Sequence, residues 1–158
     1  MKLISSAVGA ITVLALASAT LGQDAITGSN IDAVLQAASQ QGEANLAAQP
    51  NGDPLINAEI GGVAYQIFFR NCTEGTDCED LNFYLGFLDN KPSLEQINAW
   101  NISKRFSRAY LDQDNDACVE MDLDLVQGVS PAYLDAQVAI WRMVVTQFAE
   151  HVGYKATP

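Results

Sequence analysis

The sequence predicts an α+β domain: an antiparallel sheet with helices packed against it, in the order α-β(3-4)-α-β-β-α. Three observations lead there. Between residues 44 and 87, β-prone runs follow one another with only turn signals between them, so neighbouring strands are joined by hairpins and not by helical crossovers. Residues 93–125 then read as a capped helix, a strand, an acidic turn and a returning strand. Stripes of apolar residues at helical spacing open and close the region.

Residues 1–22 read as a signal peptide. Lys2 supplies a positive start, residues 3–16 an apolar core diluted with Ser, Thr and Ala, and Ala17-Ser18-Ala19 a small-x-small cleavage signal. Cleavage is expected after Ala19 or after Gly22. A permanent transmembrane anchor is the rival reading, and the small residues favour the cleaved signal. The mature chain is then exported, periplasmic or secreted, with 23–29 a flexible lead-in, 30–153 the domain and 154–158 a tail. About 135 mature residues suit one domain with an adequate core. Without Lys2, seven basic residues face 19 acidic ones, a net charge of −12. Such a chain repels nucleic acid and anionic lipid, and the cluster Lys104, Arg105 and Arg108 is too small to reverse this. Neither nucleic acid nor, after signal cleavage, a membrane is expected as a partner.

The first helix follows an N-cap at Ser29-Asn30, carries Ile31, Val34, Leu35 and Ala38 on one face, and stops at Gly42. Strands at 44–49 and 55–60 flank the turn Pro50-Asn51-Gly52-Asp53-Pro54, and Gly61-Gly62 makes the next turn. Residues 63–70 and 81–87 are strongly β-prone. Between them lie Cys72 and Cys78. Export permits a disulfide, and a hairpin loop brings these two within bridging reach. A redox-active pair is the weaker reading, since the spacing is not Cys-x-x-Cys and no helix start follows to lower a thiol pKa. Cys118 is left over, either free or linking two chains.

In the central stretch Pro92 blocks a helix upstream, and Ser93 with Gln96 forms a capping box. Leu94, Ile97 and Trp100 or Asn101 fall at helical spacing. The period then changes. Phe106, Arg108 and Tyr110 share one strand face, with Ala109 and Leu111 on the other. In the returning strand Val119, Met121, Leu123 and Leu125 are apolar, while Cys118, Glu120, Asp122 and Asp124 face away. A hairpin must match these faces, because a one-residue slip turns the core outward. Arg108 is therefore opposite Glu120 or Asp122, a pair worth a few tenths to ~1 kcal/mol. Phe106, Arg108 and Tyr110 are either a solvated face or a candidate partner surface. Trp100 and Phe106 also read as anchors of the helix-to-strand joint, with Asn98 and Asn101 bonding the backbone there.

Ser130-Pro131 opens the last helix and Gly153 closes it. Leu134, Val138, Trp141, Val145, Phe148 and Val152 make its seam, which packs on the sheet or against a second chain. Tyr133, Ile140 and Val144 form a weaker line that could serve a partner. Trp100, Trp141 and Phe148 are the expected structural core.

Catalytic chemistry is not evident. His151 is the only histidine and lies in the last turn of the final helix; no nucleophile elbow, zinc ligand set or phosphate-cradling glycine loop accompanies it. Asp112-Gln113-Asp114-Asn115-Asp116 resembles the opening of a calcium loop, but Ala117 stands at its sixth position and Leu123 at its twelfth, where Gly and Glu belong. The competing reading is a hairpin turn with Asn115 or an Asp left-handed. Asn71-Cys72-Thr73 and Asn101-Ile102-Ser103 match the glycosylation pattern, which matters only in a eukaryotic source.

The residues Ile97-Asn98-Ala99-Trp100-Asn101, then 105–112 with the acidic turn and the strand to Leu125, and upstream Tyr65-Gln66-Ile67-Phe68-Phe69, Cys72, Cys78 and Leu81-Asn82-Phe83, carry a resemblance. Over about residues 31–149 the chain resembles the YbjN-domain family, described as putative bacterial sensory transduction regulators. The resemblance implies a fold similar to type III secretion chaperones, often dimeric, with a protein partner and no catalytic residue, cofactor or metal to carry over. The family often has a Gly after the acidic residues of the hairpin; here Asn115 to Ala117 stand instead. The expected function is an exported, non-catalytic binding or regulatory module, either homodimeric or bound to another protein. The alternative is an exported calcium-binding protein or hydrolase using Asp112, Asp114, Asp116, Asp122 and Asp124.

Overall fold

The computed structural model describes residues 25–155. The expected signal peptide and cleavage sites, and residues 156–158 of the tail, lie outside the described residues. The elements are α1 (Ile31–Ser39), β1 (Ala44–Ala48), β2 (Pro54–Ile60), β3 (Val63–Arg70), β4 (Asp80–Gly86), α2 (Leu94–Ser103), β5 (Arg108–Leu111), β6 (Ala117–Asp124) and α3 (Pro131–His151). All strand pairs are antiparallel and the sheet order is β1-β2-β3-β4-β6-β5. This is the expected α+β order with four strands before α2. No described helix is long and apolar enough to cross a membrane.

Alternation decides the two faces. Tyr65, Ile67 and Phe69 of β3, Leu81, Phe83 and Leu85 of β4, and Val119, Met121 and Leu123 of β6 point to one side and are buried. There Trp141 of α3 meets the rings of Tyr65 and Phe83, and Phe148 meets Phe87 and Trp100. Burying each such side chain contributes roughly 1.5–3 kcal/mol. The whole α3 seam, Leu134 to Val152, is covered within the chain, so it is not free to be a dimer seam. Of the second line, Val144 is buried and Tyr133 exposed. Among the described residues the other face of the sheet carries no helix.

Several caps differ from expectation. Ser93 and Ser130 accept from the N–H three residues on, as expected. Asn30 does not cap α1 with its side chain; its carbonyl oxygen accepts from Thr27 N–H (2.8 Å). Gly153 takes φ +69 and ends α3. Gly42 is not a left-handed stop. A Cβ there would lie 1.9 Å from the Glu59 carbonyl oxygen, so glycine lets the chain after α1 pass β2. The described part of the lead-in is docked, not flexible: Ile26 is buried and exchanges two backbone bonds with Val129, at 2.8 and 2.9 Å.

Candidate functional site

The stretch from α2 through β6 turns one corner of the molecule and presents two surfaces. On the helix-free face, the β5–β6 register sets Arg108 opposite Glu120 and Tyr110 opposite Cys118. Glu120 is only 9% exposed and takes three donors: Arg108 Nε at 3.1 Å, Arg108 Nη2, and the Tyr110 hydroxyl at 2.6 Å. Cys118, 1% exposed, sits beside the Tyr84 hydroxyl, with Sγ 3.3 Å away. Burial pushes the Cys118 thiol up from its ordinary range. Burial, then the bonds to Cys118 and Glu120, raises the Tyr84 and Tyr110 phenols. The thiol lies on the polar face, as alternation requires, but its burial closes it to a bridge between chains. Each polar group here has a partner within the chain.

The second surface lies between α2 and α3. The α2 C-terminus is held by Ser103 Oγ donating to Ala99 O (2.7 Å) and by Lys104 N–H donating to Trp100 O (2.8 Å). Trp100 is 1% exposed and donates its Nε1–H to Ser107 Oγ at 3.2 Å. Between these anchors Phe106 takes φ +70. That left-handed conformation crowds Cβ against the carbonyl and costs a bulky residue ~1–2 kcal/mol. It also takes Phe106 out of the strand, which starts at Arg108. The expected face of Phe106, Arg108 and Tyr110 is therefore split: Arg108 and Tyr110 join the outer network, and Phe106 turns to the helices. Nor is Phe106 a buried anchor, being 58% exposed.

There it lines a cleft of about 190 Å³ with Trp100, Lys104, Arg105, Met143 and Val144. Met143 is also exposed. The Lys104 ammonium donates to Gln147 Oε1 at 2.8 Å and lies 5.6 Å from the centre of the Trp100 ring. Among the described residues the two ion pairs use Lys91 with Asp116 and Arg108 with Glu120; Lys104 and Arg105 are in neither.

A family model described as "YbjN: Putative bacterial sensory transduction regulator" matches residues 16–153. The chain belongs to the YbjN family. No curated protein matches it significantly. Among solved structures it is similar to the Yersinia pestis type III secretion chaperone SycH, solved in complex with a stable fragment of YscM2. The two share 16% identity at a TM-score of 0.48, over 82% of this chain and 100% of that one.

In this YbjN-family chain most of the remaining candidate residues have structural roles, while Asp114 takes part only through its backbone. Cys72 and Cys78 are joined by a disulfide. Asp112 accepts from the N–H groups of Asp114 and Asp116 (2.9 and 2.8 Å), and Asn115 takes φ +63 to close the hairpin without the glycine. Asp116 pairs with Lys91 at 3.1 Å, Asp122 accepts from Asn82 at 2.8 Å, and Asp124 caps the turn at Val126 N–H. Among the described residues no three metal-ligating side chains converge. His151 Nε2 lies 2.8 Å from Gln96 O, and the Gln96 amide donates to His151 O at 2.6 Å, clasping α2 to α3. That amide does not reach back to Ser93, so the capping box is only half formed. Asn101 bonds both the N–H (2.8 Å) and the C=O (3.0 Å) of Ala109, acting as one more strand residue beside β5. Asn98 has no such role and is exposed. Leu94 is exposed rather than core.

Two cleft residues were not foreseen. Met143 and Gln147 lie one turn apart on α3, beside the seam, a spacing that marks a shared face but not an open one.

Proposed function

We propose that this chain is an exported, non-catalytic protein-binding module whose partner docks at the cleft between α2 and α3. One observation carries the reading: Phe106, a large aromatic side chain, is held exposed in a left-handed conformation over an apolar cleft. Strain of that kind persists only where the surroundings impose it, and it concentrates where proteins bind or switch. Aromatic anchors beside a well-packed pocket are the usual centre of protein recognition. The family description, a transduction regulator, fits a protein whose output is binding. For export the support is the apolar, small-residue N-terminus and the Cys72–Cys78 bond. Against catalysis stand the structural duties of His151 and of the acidic residues.

The test is selection of binders from an unbiased displayed-peptide library on the mature protein. Binders that lose affinity on Phe106→Gly are expected. Binders indifferent to that change, or none at all, would move function away from this cleft. Sedimentation velocity separates self-association: a wild-type monomer at all concentrations removes the homodimer.

A further inference from the structure

We infer that the cleft takes an acidic linear segment of a protein partner: one large apolar side chain seated against Trp100 and Val144, flanked by carboxylates held by Arg105 and Lys104. This rests on the binding reading above and names the class of its occupant.

Size comes first. A volume of about 190 Å³ lies below the ~300–1,000 Å³ of a typical small-molecule site, and suits a single side chain. Its lining decides the rest. The floor is the buried Trp100 and Val144, and the walls are the exposed Phe106 and Met143. The Met143 thioether adapts to different apolar shapes.

Charge gives the sign. The chain has 19 acidic and 8 basic residues, so its cations are surrounded by potential partners. Lys91 and Arg108 take them; Lys104 and Arg105, adjacent at the cleft, do not. Lys104 spends one donor on Gln147, and an ammonium has three. Arg105 is exposed with its guanidinium free of any ion pair among the described residues. Glu150 lies on the next turn of α3, with Lys104, Gln147 and His151 along the same side. It would repel carboxylates on its own side of Lys104, so those of the occupant lie on the side that Lys104 shares with Arg105. An anionic membrane would meet the whole charge of −11 and be repelled; a short acidic segment meets only these two cations.

The library selection supplies the first readout. Phe106-dependent binders are expected to be rich in Asp and Glu around one Phe, Leu or Met. Phe106-dependent binders that are neutral or basic would overturn this inference and leave the binding module standing. Absence of Phe106-dependent binders would overturn both.

A defined probe gives the second. The capped peptide Asp-Glu-Phe-Leu-Glu-Asp, labelled for fluorescence anisotropy, should bind the mature protein and weaken several-fold from low to high salt. Arg105→Glu should weaken it about tenfold or more. Arg70→Glu, an equal charge change at the end of β3 on the outer face of the sheet, over the Phe68 ring, should leave it within about twofold, since a charge on the opposite face is screened. Equal loss in both variants would mean unspecific attraction, and tighter binding of the Lys-Lys-Phe-Leu-Lys-Lys peptide would reverse the assigned sign. Either outcome overturns the inference. So would binding of anionic vesicles lost on Arg105→Glu, or a self-associated state that Phe106→Gly dissolves, each naming a different occupant.

Discussion

The outer face of the β5–β6 hairpin and the α2–α3 cleft both draw on one short stretch, residues 104–110, and they are finished differently. On the outer face Arg108, Tyr110, Glu120, Cys118 and Tyr84 satisfy one another. In the cleft, two residues upstream, Phe106 is strained and exposed while Lys104 and Arg105 pair with no carboxylate among the described residues. Polar groups that close on themselves serve the fold. Backbone strain clusters at sites that bind or switch, and that is the ground on which the cleft is proposed as the docking site. The variants below should keep these two surfaces apart.

The largest effect is expected beneath both. Trp100 packs on Phe148 and His151 and bonds Ser107. Trp100→Ala should cost ~3–5 kcal/mol, as for other buried aromatics truncated to alanine. Urea unfolding measures it. A loss near zero would detach the cleft from the core, and the comparison would fail at its root.

Alkaline pH comes next. The Tyr65 phenol is buried without a partner among the described residues, and burial pushes its pKa from 10.0 to about 12. The native state therefore holds that proton more tightly than the unfolded chain. The stability it contributes is whole below pH ~10 and is lost as pH rises through ~12, on the order of 2–3 kcal/mol. Cys118, Tyr84 and Tyr110, also raised, act in the same direction. Tyr65→Phe should flatten the alkaline loss and, by removing an unpaired buried hydroxyl, raise stability at neutral pH by about 1 kcal/mol. Wild-type stability that does not fall above pH 10 would show the phenol hydrated.

Phe106→Gly should change stability by ~1 kcal/mol or less and in the stabilising direction, because glycine takes φ +70 freely and offsets this by its looser unfolded chain. A loss above ~2 kcal/mol would make Phe106 a structural residue, and its strain would no longer need a partner.

These residues also mark what was legible in the sequence. The hairpin faces follow from strict alternation in 118–125, and with them Arg108 opposite Glu120 or Asp122; the register that selects Glu120 comes from the structure. The α3 seam follows from helical spacing, and a left-handed Asn115 or Asp in the hairpin from residue type, the structure taking Asn115. Phe106 was misplaced because no Gly or Asn announces a positive φ there; a period of two was extended two residues too far upstream. Leu94 was misplaced because α2 buries only Ile97 and Trp100, and spacing alone does not say how wide a helix face is covered. Gly42 has the place of a helix stop, but its need for room is set by a carbonyl 17 residues away in β2, which local pattern does not show. The cleft itself joins α2 to α3, so its existence depends on how two distant helices meet.

The smallest expected effects are the most discriminating. Arg108 is well exposed, so solvent screens its pair with Glu120, and the pair is worth ~1 kcal/mol or less. Arg108→Ala leaves Glu120 with the Tyr110 hydroxyl as donor, which softens the loss but does not abolish it. Stability should fall by a few tenths to ~1 kcal/mol, less at high salt, where the pair is weaker already. Arg105→Ala removes a guanidinium that pairs with no carboxylate among the described residues, and should leave stability within ~0.5 kcal/mol at any salt. Paired urea titrations at low and high salt decide. If Arg108→Ala also costs nothing, the outer network is an open surface and could bind as readily as the cleft. If Arg105→Ala destabilises the domain, its charge is already spent within the chain, and the cleft has lost the cation that gave its occupant a sign.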